Sequence, residues 1–261
     1  MGRIIFVTSF KGGVGKTTLA ANLATALTVL GKKVLVVDAD YGNRCMDLVL
    51  GLESSVLFDS ADVIWGRVEF DSAAVRHDDN ELLYFLPAPA FNKTVIPPVR
   101  VASLFASLKE KFDFIIVDSS AEDSDVYRAF ARSADDAIVL SFHQSTAIRA
   151  AEKTAIMLQG IGFSNIRLVI NCFHAEMAED GVLPSVLEII QRSHIQLLGL
   201  VPFDMGVIAM QEAGALPYAT GKKLMLYEAA VLNIAKRLTG VNVPLLKDVC
   251  KPKKLKKHLL N

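Results

Sequence analysis

Short, continuous apolar runs alternate along the chain with stretches in which apolar residues return every three or four positions. The runs IIFV, VLVV, FIIV, AIVL and LVI lack the polar alternation of a half-exposed strand. They predict strands buried on both faces, as in a parallel sheet. Strands are expected over 3–8, 33–38, 82–86, 113–118, 137–142, 167–171 and 196–201. Between them the helical period predicts helices over 16–30, 99–111, 124–133, 147–160, 183–193 and 223–238. This alternation implies an α/β fold: a doubly wound, mostly parallel sheet with helices on both faces. The 261 residues suit one domain of that kind. The only compositional break follows Gly240, so residues 1–240 are expected to form the domain and 241–261 a basic tail.

The first strand runs into SFKGGVGKTT, and a helical pattern follows at once. A glycine loop between strand and helix is the setting for phosphate binding. Gly12, Gly13 and Gly15 allow close approach of the backbone to an anion. The N–H groups from Gly12 through Val14 to Thr18 would form a donor nest at the positive end of a helix dipole. Lys16 suits the β- and γ-phosphates, and the Thr17 hydroxyl suits Mg²⁺. Chance would give K-G-G-x-G-K-[ST] in a chain this long with a probability of about 10⁻⁴.

Four further strand ends carry candidate residues, and ligands gather at the carboxyl ends of parallel strands. VLVVDAD places Asp38 and Asp40 there, and FIIVDSS places Asp118, a carboxylate for the Mg²⁺ shell. LVIN ends in Asn171, and VPFD carries Pro202 to Asp204. No N-K-x-D stands at the appropriate strand, and NKTV at Asn92 lacks the acid, which favours ATP over GTP. Glu122, Asp123 and Asp125 read as a solvated loop and the acidic first turn of a helix. Phe58 and Trp65 read as core or dimer packing.

Lys11 inside the loop and Phe10 in place of the first glycine depart from the strict P-loop pattern. With that second lysine the sequence resembles the deviant Walker A ATPases of the MinD/ParA family, a P-loop NTPase group of the SIMIBI type. The segment from Asp38 to Glu53 is similar to the MinD pattern D-x-D-x-G-x-R-x-x-D-L-x-x-G-x-E at Asp38, Asp40, Gly42, Arg44, Asp47, Gly51 and Glu53. The resemblance implies an ATP-sandwiched homodimer in which Lys11 reaches the partner's phosphates. It implies that Asp40 orients the attacking water, that Asp38 acts near Mg²⁺ through water, and that Asn171, Pro202 and Asp204 contact adenine. It further implies a slow ATPase stimulated by a protein partner. Two positions differ from the family's D-S-P-A-G: Ser120 replaces the proline and Glu122 the glycine. Phe10 implies that its position does not need a glycine-only conformation.

Charge and cysteines bound the remaining possibilities. The chain has 28 basic and 28 acidic side chains, so net charge implies no polyanion partner. The last fifteen residues hold six Lys and one Asp, which leaves a body of 22 basic and 27 acidic residues, a net of −5. Cys45, Cys172 and Cys250 are dispersed, as in a reduced cytoplasmic chain. The short apolar start predicts neither a leader nor a spanning segment. In VCKPKKLKKHLLN, Leu255, Leu259 and Leu260 would share one side of a helix flanked by lysines, which resembles the membrane-targeting helix of MinD. That resemblance implies that the ATP-bound protein sits on the anionic inner face of the cell membrane. A ParA-like DNA-partition ATPase is the alternative, with Lys222, Lys223, Lys236 and Arg237 offered to DNA; an iron–sulfur relative and a P-loop ligase are further ones.

Overall fold

In the computed structural model, residues 1–90, 95–218 and 224–250 are described. The apolar runs form the expected strands, with ends within two residues of those read from the sequence: β1 (Arg3–Thr8), β2 (Val34–Ala39), β4 (Asn80–Leu86), β5 (Phe114–Ser119), β6 (Asp136–Ser141), β7 (Ile166–Phe173) and β8 (Gln196–Pro202). One further strand, β3 (Val75–His77), pairs antiparallel with β4 at the sheet edge. Its three residues include the exposed Arg76 and form no apolar run, so the pattern gives it no signal. The order is β3-β4-β2-β5-β1-β6-β7-β8, and all pairings except β3 with β4 are parallel.

Every residue of β2, β5 and β6 is buried, because both faces of the sheet are covered. Successive residues of β1 feed different cores: Ile4 and Phe6 one, Ile5 and Val7 the other. The Lys16–Val29 helix is buried over most of its surface, between the sheet and the Leu226–Leu238 helix. Its buried polar side chains turn back on the helix itself: Asn22 donates to the Thr18 carbonyl and Thr25 to the Ala21 carbonyl. Pro98–Lys111, Asp125–Ala131, Ser145–Gly160 and Val186–Ser193 match the other expected helices. Among the described residues, no helix is long and apolar enough to cross a membrane.

Two differences from the sequence reading bear on function. The Met205–Glu212 helix was not expected, yet its start is marked: the Asp204 side chain accepts from Gly206 N–H at 2.9 Å, an N-cap. The packed body also continues past Gly240. Val249, in the Lys247–Cys250 turn of helix, is buried in the core, and Arg237 donates to the carbonyls of Leu198 and Val243. Arg237 therefore secures this extension and is not presented to DNA. Lys222, Lys223, Asn92 and the expected amphipathic tail over 251–261 lie outside the described residues.

Candidate nucleotide site

The loop between β1 and the Lys16–Val29 helix has the shape its glycines allow. Gly13 and Gly15 have φ of 73° and 87°, the left-handed region, whereas Gly12 does not. A Cβ at Gly12 or Gly13 would meet nothing within 4 Å, so the loop is open to an approaching anion there. Val14 is fully buried beneath it. Asn171 Nδ2 donates to the Val14 carbonyl at 2.8 Å, and its Oδ1 accepts from Cys172 N–H. The amide thus ties the end of β7 to the loop. No side chain caps the helix at Gly15, which leaves the first-turn N–H groups of Lys16, Thr17 and Thr18 for a ligand.

Phe10 accounts for the departure from the strict pattern. It lacks the positive φ of a glycine-only position, half-buries its ring 5.5 Å from that of Tyr127, and donates its N–H to Thr154 Oγ1. Tyr127 in turn shares a 2.8 Å hydrogen bond with Thr8, the last residue of β1. Phe10 and Tyr127 therefore brace the start of the loop. Lys11 is half-exposed beside it and forms no ion pair among the described residues.

Sheet register brings the acids together. Asp38 and Asp118 are Cα partners across β2 and β5. Both are buried, at 0% and 1% exposure. Thr17 Oγ1 donates to Asp118 Oδ2 at 2.6 Å, and Asp118 Oδ1 is buried without a partner among the described residues. Asp38 accepts from the N–H groups of Asp40 and Met46. Burial first, and the neighbouring carboxylates after it, push Asp38 up to about 7. Burial and the charge of Asp38 raise Asp118 well above the carboxylate range, against the Thr17 hydrogen bond and Lys16. Burial lowers Lys16, against the pull of Asp118 and Asp40. Buried carboxylates raised this far, one with an orphaned oxygen beside a threonine hydroxyl, fit a divalent cation with hard oxygen ligands.

Asp40 is held outside this cluster by Asn43, whose Nδ2 donates to both carboxylate oxygens at 3.3 and 3.1 Å. It lines a cavity of about 590 Å³ between the Asp40–Asn43 turn and the Ser120–Asp125 loop. Ser120 Oγ donates to the Glu122 carbonyl, and Asp123 pairs with Arg128 through two hydrogen bonds. The acidic loop is thus solvated and locally tied, as its composition implies. Phe58 and Trp65 are 39% and 37% exposed, which removes the core reading for them. Trp65 carries the Arg100 guanidinium over its ring at 4.9 Å.

On the other side of the loop lies a cavity of about 280 Å³, lined by Gly15, Asn171, Pro202, Phe203, Gln211 and Tyr227 among others. It is mostly apolar and the right kind of space for a nucleoside. Asn171, Pro202 and Asp204 all border it, although the Asp204 carboxylate is engaged in its helix cap. Gln211 was not legible in the sequence, because the helix that carries it was not expected. Among the described residues, no group of His, Cys, Asp and Glu is arranged to hold a metal by itself, so a cation here would share its shell with phosphate oxygens and water.

A glycine nest at a helix start, flanked by strand-end carboxylates at the centre of a parallel sheet, defines a P-loop nucleotide-binding protein. The model of the CobQ/CobB/MinD/ParA nucleotide binding domain matches residues 5–217. The septum site-determining protein MinD of Bacillus subtilis is 39% identical over 250 residues, covering 94% of this chain and 92% of that protein. Its counterpart in Thermotoga maritima is 34% identical over 251 residues, covering 95% and 92%. The fold superposes on the MinC:MinD cell division complex of Aquifex aeolicus with a TM-score of 0.87 and 32% identity, covering 94% of this chain and 99% of that one. MinD of Pyrococcus horikoshii, complexed with Mg-ADP, gives 0.80 and 27% identity, covering 91% and 96%. The chain belongs to the CobQ/CobB/MinD/ParA nucleotide-binding family, and within it is MinD-like.

Proposed function

We propose that this chain hydrolyses ATP to ADP and phosphate slowly, under stimulation by a protein partner, and uses the cycle to place the division site. The observation that carries the ATPase reading is the Thr17–Asp118 pair at 2.6 Å with its orphaned carboxylate oxygen. Thr17 and Asp118, with Asp38 behind them, would hold Mg²⁺, which when bound supplies charge neutralisation at the phosphates. Lys16 grips the β- and γ-phosphates of its own nucleotide, and Lys11 those of a second copy. Asp40 orients the attacking water from its place in the cavity between the two loops. Asn171 and the backbone beside Pro202 contact adenine. A Mg-ADP complex among the similar structures supports this nucleotide, and a MinC:MinD complex supports a protein partner.

ATP-driven dimerisation would pair two copies of the basic tail, each with six Lys in the last fifteen residues, on an anionic membrane surface. One copy binds weakly, since each lysine contributes roughly 1 kcal/mol at such a surface. Two linked copies gain by effective concentration, which makes attachment depend on ATP. Co-sedimentation of one preparation with anionic liposomes and with duplex DNA, in ADP and in ATP, tests this. Liposome binding in ATP alone, lost on removal of residues 251–261, is the expected result. DNA retention without liposome binding would overturn it in favour of a partition function.

A further inference from the structure

The Met205–Glu212 helix presents Gln211 to the loop in its last turn. Gln211 Oε1 accepts from Thr18 Oγ1 at 3.3 Å. Its Nε2 is buried and has no partner among the described residues. The same side chain lines the 280 Å³ cavity, as does Tyr227, whose hydroxyl is also buried and unpaired among the described residues. Buried donors without partners carry a desolvation penalty that a ligand oxygen removes, so two in one wall mark where a polar ligand completes the structure. Thr18 fixes which part of the ligand lies nearest. It stands in the first turn of the Lys16–Val29 helix, where phosphates are received, on the side that opens into the cavity.

We infer that Gln211 is a nucleotide ligand, its Nε2 donating to the oxygens of the ribose–α-phosphate segment while Oε1 stays on Thr18. The inference rests on the ATP-binding reading above and adds a residue that none of the loop or strand-end motifs contains. Gln211 then joins the phosphate nest to the nucleoside cavity, and the base falls to the Asn171 and Pro202 wall. The segment is shared by ATP and ADP, so Gln211 contributes equally to both and does not discriminate between them.

The test is calorimetric titration of the full chain with ATP and with ADP in Mg²⁺, for wild type, Gln211→Leu, Gln211→Glu and Gln211→Asn, with nucleotide-free unfolding midpoints measured alongside. Gln211→Leu should weaken both nucleotides about tenfold. Gln211→Glu should weaken them further, because a carboxylate would face the phosphate. Gln211→Asn keeps the amide but withdraws it by one methylene, and should lose affinity with the least disturbance of the fold. Affinities within twofold of wild type in all three variants would overturn the inference. So would equal losses for Leu and Glu, which would make Gln211 a brace for Thr18, and so would a loss confined to ATP. A wild-type chain that binds neither nucleotide would overturn the ATP-binding reading itself, and this inference with it.

Discussion

The Thr17 hydroxyl donates to the Asp118 carboxylate at 2.6 Å across 101 residues of sequence. One residue opens the helix after the glycine loop, and the other sits near the end of β5. Their contact joins the glycine-loop helix to a buried acid that is held above its ordinary pKa range by burial. The pair gives the site its polarity: the first-turn N–H groups of the Lys16–Val29 helix and Lys16 on one side, buried carboxyls on the other.

Lys16 and Lys11 should separate in their effects. Lys16→Ala should reduce ATP affinity about a hundredfold, since hydrogen bonds to charged phosphates are the strong ones. Lys11→Ala should keep nucleotide and lose ATP-dependent dimerisation. Titration calorimetry and analytical ultracentrifugation measure the two properties. A Lys11→Ala chain that dimerises and turns over like wild type would exclude the role in trans.

Asp40→Ala should bind ATP and stay dimeric while steady-state turnover falls about a hundredfold, the scale of losing one positioned proton acceptor. The carboxylate faces the open cavity, so its removal leaves the fold unstrained. Phosphate release under saturating ATP checks this, and unchanged turnover would sink the assignment.

Phe10→Gly restores the loop glycine but removes a ring that packs on Tyr127. The loss of a half-buried aromatic should lower unfolding free energy by about 2 kcal/mol, while nucleotide binding persists. Urea unfolding of both proteins, with and without ADP, gives the two numbers. Equal stability would show that Phe10 does not brace the loop.

His143 is buried, its Nε2 accepts from the His174 N–H, and its Nδ1 has no partner among the described residues. Burial, with the nearby His174, lowers its pKa below the ordinary histidine value. The unfolded chain therefore binds a proton that the folded chain refuses. Stability contributed by neutral His143 is present above about pH 6.5 and is lost as pH falls below it. Asp38, raised to about 7, takes up a proton in the folded chain over the same window and acts in the opposite direction, so the slope is read as a difference: thermal midpoints of His143→Gln should gain on those of wild type as pH falls from 7 to 5. An unaltered slope in the variant would assign the acid sensitivity to other groups.

Much of this was legible in the sequence because it is local. Buried parallel strands need unbroken apolar runs, and these marked β1, β2 and β4 to β8 within two residues. The glycine loop, its lysines and the strand-end acids are contiguous or fixed by strand ends, so their spacing alone predicted that they would gather at one end of the sheet. The antiparallel β3 left no such trace, since three residues, one half-buried, one exposed and one buried, are too few to carry a periodicity.

What only the tertiary structure decided concerns pairs that no spacing connects. Register across β2 and β5, set by packing of both sheet faces, places Asp38 opposite Asp118, and the resulting mutual burial raises both. The docking of β7 beside the loop turns Asn171 onto the Val14 carbonyl. A short capped helix brings Gln211 to Thr18 from 193 residues away. Phe10 gained its meaning from Tyr127, and Arg237 from carbonyls of β8 and of the chain beyond Gly240. Each of these contacts depends on long-range packing and desolvation, which a linear pattern of residues does not encode position by position.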